Sequence, residues 1–266
     1  GPLSDSDTFD DQDNLYVAEQ NRNRVLVYLK PFQTAYPTST PFWTPTPTPT
    51  PVADAISCPV SVSWTVAEPF GIALNSAGTT IYVADSSVSL IDVFNPTGAS
   101  LGTIGSSLKA QGITLIDPLG VAADGVGNVY VTDENLDQVF VFDGSTGALN
   151  NKWGSSGQGL GQLVWPLGIA VNQTGTTVCV ADQYNYRVQL FTGSGTPIAQ
   201  LGTGRAGTGG HGVFSLPTGV ARDASGNVYV ADWDTGLIQV FDKNQNSLWQ
   251  WDVTQGAPLS SAQLIS

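Results

Sequence analysis

The chain has 266 residues and a formal net charge of −13. Its basic residues are scattered from Arg22 to Lys243, which excludes the clustered cationic surface that nucleic acid or an anionic membrane requires. Only 12 % of residues are charged, and 30 Gly and 16 Pro are spread along the chain, so a charge-rich helical fold gives way to many short strands joined by tight turns.

From the N-terminus, Gly1-Pro2-Leu3 reads as the remnant of a cleaved expression tag, leaving residues 4–266 as one domain. There is no methionine and no signal peptide, which fits a segment excised from a longer protein. No apolar run approaches the length of a membrane span, so membrane insertion by this segment is not expected. Tyr16-Val17-Ala18-Glu19 and Val25–Tyr28 are the first apolar strands. Ser4–Phe9 stands where a preceding strand would fall but is polar, and Asp10-Asp11-Gln12-Asp13-Asn14 lacks the Gly and distal Glu of a calcium loop.

A Pro/Thr-rich insertion covers residues 31–59 in the first repeat. Alternating Pro and Thr excludes helix and central strand and favours polyproline II. It reads as a spacer, as an O-glycosylated loop with Thr44, Thr46, Thr48 and Thr50 as candidates, or as a ligand for an aromatic groove. Phe42 and Trp43 within it favour packing over free solvation.

Beyond the insertion, one phrase recurs four times: Pro69-Phe70-Gly71-Ile72-Ala73, Pro118-Leu119-Gly120-Val121-Ala122, Pro166-Leu167-Gly168-Ile169-Ala170 and Pro217-Thr218-Gly219-Val220-Ala221. Each is followed by Tyr82-Val83-Ala84-Asp85, Tyr130-Val131-Thr132-Asp133, Cys179-Val180-Ala181-Asp182 or Tyr229-Val230-Ala231-Asp232. A third strand follows (Ile91–Phe94, Val139–Phe142, Val188–Phe191, Ile238–Phe241), then a weaker fourth, as in Ala148–Trp153 and Ser247–Asp252. Turns such as Asp223-Ala224-Ser225-Gly226-Asn227 supply the residues that tight hairpins need. The recurring Gly is read as permitting close backbone approach near a central axis. Trp249 and Trp251 are expected to pack between repeats. Cys58 and Cys179 allow one bridge, but the preferred reading of Cys179 is a buried free thiol.

Four antiparallel strands repeated at this interval describe a β-propeller blade. The three phrases together resemble the NHL repeat, over nearly the whole chain outside residues 31–60. The copy from Pro166 to Phe191, with Asp182, Asn185 and Arg187, carries the resemblance best; the Asn-x-Arg element is absent after Asp85 and Asp232. The expected fold is therefore all-β, a propeller of four-stranded antiparallel blades. Five blades are expected, with Ser4–Phe9 or the C-terminal segment completing the first. Six are expected if the chain is a fragment, because Ala262-Gln263-Leu264-Ile265 matches Gly161-Gln162-Leu163-Val164, which directly precedes Pro166.

The resemblance also raises metal-dependent lyases, which gather several histidines around the metal. This chain has one, His211, in a glycine-rich stretch. No nucleophile elbow, zinc-protease helix or phosphate loop is present, so no catalytic residue, metal or cofactor is expected. Glu19, Asp85, Asp133, Asp182 and Asp232 form a possible cation ring but read better as caps of their own hairpins. The expected function is a non-enzymatic scaffold, secreted or on the cell surface. It would recognise a protein or glycan through loops on one face that hold Trp165, Tyr184, Tyr186, Arg187, Arg205, His211 and Trp233. Asn172-Gln173-Thr174 is an N-glycosylation sequon on a turn. The alternative is a propeller hydrolase or lyase with a metal in its central channel.

Overall fold

The computed structural model describes residues 6–9, 15–28, 60–106, 108, 112–207, 210–252 and 257–258. The Pro/Thr-rich insertion with its four threonines, Cys58, the first three residues and residues 262–265 lie outside them.

Five antiparallel sheets of contiguous sequence stand radially in a ring, a five-bladed β-propeller. Blade one is β1 (Ser6–Phe9), β2 (Leu15–Glu19), β3 (Arg24–Tyr28) and β4 (Val60–Thr65). Blade two is β5 (Pro69–Leu74), β6 (Ile81–Asp85), β7 (Leu90–Phe94) and β8 (Ser100–Ile104). Blade three is β9 (Pro118–Ala123), β10 (Asn128–Asp133), β11 (Gln138–Asp143) and β12 (Leu149–Trp153). Blade four is β13 (Pro166–Val171), β14 (Val178–Asp182), β15 (Arg187–Phe191) and β16 (Pro197–Leu201). Blade five is β17 (Pro217–Arg222), β18 (Val228–Asp232), β19 (Leu237–Phe241) and β20 (Ser247–Asp252), with β21 (Ala257–Pro258) added outside β20.

Of the two ways to complete blade one, the N-terminal strand is the one used: β1 pairs along β2 from Ser6 opposite Ala18 to Phe9 opposite Leu15. The C-terminal strand instead pairs with Trp251 and Asp252 of blade five.

In blades two to five the first hairpin turns on an Asn or Asp carbonyl or carboxylate that accepts backbone N–H bonds. Asn75 accepts from Thr79 and Thr80, Asp124 from Val126 and Asn128, Asn172 from Thr176 and Thr177, and Asp223 from Asn227. These side chains replace the missing ladder partners of the turn.

The core lies between blades rather than at one centre. The second strands β6 and β14 are buried along their whole length, while β12 and β16 alternate between burial and exposure. One apolar cluster fills each junction from blade one to blade five: Tyr16 with Ile72, Tyr82 with Val129, Tyr130 with Val178, and Cys179 with Val228.

The innermost strands pack in succession, β1 on β5, β5 on β9, β9 on β13 and β13 on β17. Their glycines allow it. A Cβ on Gly71 would stand 2.4 Å from the Leu119 carbonyl oxygen, on Gly120 2.2 Å from that of Leu167, and on Gly168 2.4 Å from that of Thr218. A Cβ on Gly219 would meet, among the described residues, only the Ala231 side chain, at 3.4 Å. Trp249 and Trp251, expected between blades, stack on each other at 4.2 Å, and Trp251 remains 39 % exposed.

Candidate ligand-binding face

In each blade the start of the innermost strand, the loop between second and third strands and the end of the fourth strand lie at one end. The register shows it: Pro118 pairs with Asp133, Asp133 with Gln138, and Val139 with Trp153. Blades four and five repeat this arrangement. Trp165, Tyr184 and Trp233 all belong to this loop face.

The recurring carboxylates brace it. Asp85 accepts from the backbone N–H groups of Ala67, Glu68 and Ser87; Asp133 from Ile116, Asp117 and Leu136; Asp232 from Ser215, Leu216 and Thr235. They cap their hairpins, as the sequence suggests. They also pin the incoming connection from the previous blade, which the sequence does not reveal. Asp133 is pushed up by burial and held back by these N–H donors. Among the described residues, no three His, Cys, Asp or Glu side chains come together as a metal site.

Arg187 leaves the ligand-contact set, because it is only 5 % exposed and all three of its guanidinium nitrogens donate to the protein. Nε donates to Asp182 at 2.8 Å, Nη1 to Gln200 at 3.0 Å, and Nη2 to the carbonyls of Gly159 and Gln162 at 2.8 and 3.1 Å. Asn185 and Gln189 donate to the same Asp182 carboxylate. The network ties the 154–165 connection to blade four. Blade one has a simpler version, in which Arg22 and Arg24 pair with Glu19.

His211 is also removed from the face. It is exposed in the connection before β17, and its Nδ1 bonds the Ser247 hydroxyl. Ser247 begins β20 at the end of blade five remote from Trp233. Arg205 is exposed in the same connection. Tyr186 is half-buried at φ 55, the left-handed position that ends the turn, where the sister repeats have Asn23, Ser89, Asp137 and Gly236.

Trp165 and Tyr184 come together, ring centroids 4.8 Å apart and edge to face, each 43 % exposed. Trp165 sits at φ 55, an unfavourable setting for a bulky residue before proline. Its N–H donates to Asp137 of blade three at 2.9 Å. Backbone strain held by a neighbouring blade, with the ring left in solvent, is a pattern of binding sites. Trp233, 53 % exposed, stands one blade further on, and Ile116, 50 % exposed, on the other side.

Sequence reasoning missed the acidic surround of this pair. Glu134 and Asp137 lie in the same loop of blade three, and Asp117 faces them across the blade end; Asn135 donates to Asp117 at 3.1 Å. Burial, then Asp117, Asp133 and Asp137, push the Glu134 carboxyl up to about 7. Burial, then Asp133 and Glu68, also raise Asp117. The ion pairs among the described residues are Arg22–Glu19, Arg24–Glu19 and Arg187–Asp182, so no cation among the described residues pairs with this group. The available signal was the density of acids in Asp133-Glu134-Asn135-Leu136-Asp137, beside an Asp before Pro118. The opposite end carries an open groove of about 560 Å³ between blades three and four, whose lining includes Asn128, Tyr130, Asn150, Asn151, Thr176 and Ser194.

Cys179 is free and buried, its thiol pushed up to about 12 by burial. Asn172 sits on a solvent-facing turn with its amide donating to the hydroxyls of Thr174 and Thr176.

Comparison with known proteins agrees with this architecture. A family model described as NHL repeat matches residues 214–241. Protein brain tumor of Drosophila melanogaster is 25 % identical over 133 residues, which cover 50 % of this chain but only 12 % of that protein. Among solved structures, a chain of a nidogen/laminin complex aligns with TM-score 0.63 at 18 % identity, over 96 % of this chain and 81 % of that one. Virginiamycin B lyase from Staphylococcus aureus aligns with TM-score 0.58 at 11 % identity, over 93 % and 69 %. A protein of unknown function from Bacteroides caccae aligns with TM-score 0.61 at 13 % identity, over 91 % and 73 %.

Proposed function

The chain belongs to the NHL-repeat β-propellers, and from that premise we propose that it is a non-enzymatic scaffold whose loop face binds a Lys- or Arg-bearing segment of a partner protein. The observation that carries the reading is the exposed Trp165–Tyr184 pair set beside carboxylates that no cation among the described residues neutralises. Aromatic faces attract ammonium and guanidinium groups, and a carboxylate beside them adds a charge-assisted hydrogen bond. Ile116 and Trp233 extend the apolar contact on either side. The overall charge of −13 would speed encounter with a basic partner.

The propeller neighbours support a protein ligand at the level of fold, since one was solved in a nidogen/laminin complex. The lyase neighbour has the same fold, at 11 % identity. An extracellular or cell-surface setting belongs to the same proposal, with glycosylation at Asn172 and at Thr44, Thr46, Thr48 and Thr50. It is supported by the sequon on an exposed turn and by the Pro/Thr-rich insertion.

The test is titration of a Lys/Arg-rich peptide against the protein, with an acetylated-lysine peptide and a neutral oligosaccharide as the other arms. Trp165→Ala and Glu134→Gln are each expected to weaken the basic peptide by about tenfold, or about 1.4 kcal/mol. Binding should strengthen as pH rises through about 7, where Glu134 gives up its proton. Equal binding of the acetylated peptide, or preference for the oligosaccharide, would contradict the proposal.

A further inference from the structure

In blades two to five the residue before the innermost proline receives a backbone bond from the loop between second and third strands. Ser86 donates to the Glu68 carbonyl, Glu134 to Asp117, Gln183 to Trp165 and Trp233 to Leu216. The next loop residue therefore stands beside that pre-proline residue in each of these blades. Blades two, three and five fill the two places with Glu68 and Ser87, Asp117 and Asn135, and Leu216 and Asp234; blade four fills them with Trp165 and Tyr184. The scaffold thus requires no ring at either place.

Both rings are held in place by the protein itself. The Tyr184 N–H donates to the Val164 carbonyl at 3.2 Å. The turn that carries Tyr184, Gln183–Asn185, is anchored by Asn185, which donates to Asp182 and to the Gly157 carbonyl. Asp137 fixes the Trp165 backbone from blade three. The ring planes meet at 82°, edge to face, and both rings reach solvent, so they form two walls of a right-angled corner. Walls fixed in advance lose little freedom on binding.

Shape and hydration decide which cation suits the corner. A guanidinium is flat and stacks on one ring at a time, while a primary ammonium is compact and strongly hydrated, so it gives up most on leaving water. A trimethylated ammonium is rounded, carries its charge out to methyl groups that touch both walls at once, and is the kind of cation that aromatic walls recognise. It has no N–H and needs none, because the carboxylates of Glu134, Asp117 and Asp137 attract it through their field. The same carboxylates repel the phosphate of a choline headgroup, whereas a lysine side chain brings no anion.

We propose, resting on the reading of the loop face as a site for a basic segment, that the Trp165–Tyr184 corner selects trimethyllysine over lysine and arginine in that segment. The experiment titrates the protein with a Gly/Ser peptide carrying three basic positions. The peptide is made with lysine, arginine, trimethyllysine or the uncharged carbon isostere of trimethyllysine, and phosphocholine is a further arm. The trimethyllysine peptide is expected to bind about fivefold tighter than the lysine and arginine peptides. Tyr184→Ser, the residue of blade two at this place, should abolish the preference, and Tyr184→Phe should restore it; thermal unfolding checks that each variant is folded. Lysine or arginine peptides that bind as tightly as the trimethyllysine peptide overturn the inference and leave the basic-segment reading standing. Equal binding of the uncharged isostere or of phosphocholine, or a preference that survives Tyr184→Ser, also overturns it. Failure of every charged peptide to bind removes the basic-segment reading and this inference together.

Discussion

Arg187 illustrates how a residue's chemistry and its use diverge. Its charge and its neighbours Tyr184 and Tyr186 suggest a ligand contact, yet each of its three guanidinium nitrogens donates to a protein oxygen, with Asp182 fully buried beneath it. Removing one partner leaves a buried charge unpaired, which costs about 3–5 kcal/mol. Arg187→Met should therefore lower stability by about that amount in urea unfolding, while Arg205→Ala, on an exposed side chain, should change it little. The warning was present in the sequence: Asp182, Asn185 and Arg187 are the residues that carry the repeat resemblance, and a signature of the repeat is more often scaffold than site. Glu134 shows the reverse. Its raised affinity for protons comes from burial and then from Asp117, Asp133 and Asp137, all of which arise only after strands β9, β10 and β11 pair.

At the scale of elements, apolar alternation and turn residues made the strands of blades two to five legible. β1 was not, because Ser6-Asp7-Thr8-Phe9 has no apolar face to read; its place comes from the backbone ladder with β2. β21 is a two-residue strand whose pairing with β20 no local pattern announces. The recurring glycine was legible as a close approach, but not its direction, which is toward the carbonyls of the next blade. That direction yields a contrast. Gly168→Ala forces a Cβ to 2.4 Å from the Thr218 oxygen and should destabilise the fold by about 1–3 kcal/mol through overpacking. Gly219→Ala, at the chemically identical position of blade five, meets among the described residues only the Ala231 side chain and should be close to neutral. Thermal unfolding of the two variants side by side checks both; equal losses would mean that blade five is packed at its inner strand like the others.

For the whole molecule, repetition gave away the architecture and concealed the function. Equivalent phrases in successive repeats specify equivalent blades, so the propeller follows from the interval and the strand pattern, while the choice of five blades over six comes from the sheets themselves. A site made where blades differ is invisible to that logic. Trp165 takes a left-handed backbone that its counterparts Glu68, Asp117 and Leu216 in blades two, three and five do not, and its anchor Asp137 belongs to blade three. The aromatic half of the loop face was readable from Trp165, Tyr184 and Trp233; its acidic half was not, because it spans an inter-strand contact. The central claim, that this loop face and no other surface receives a basic protein segment, is tested most directly by hydrogen exchange with and without a Lys/Arg-rich peptide. The account predicts slowed exchange at residues 116–117, 134–137, 165 and 184. Protection confined to the opposite groove around Asn150, Asn151, Thr176 and Ser194, or no protection at saturating peptide, would contradict it.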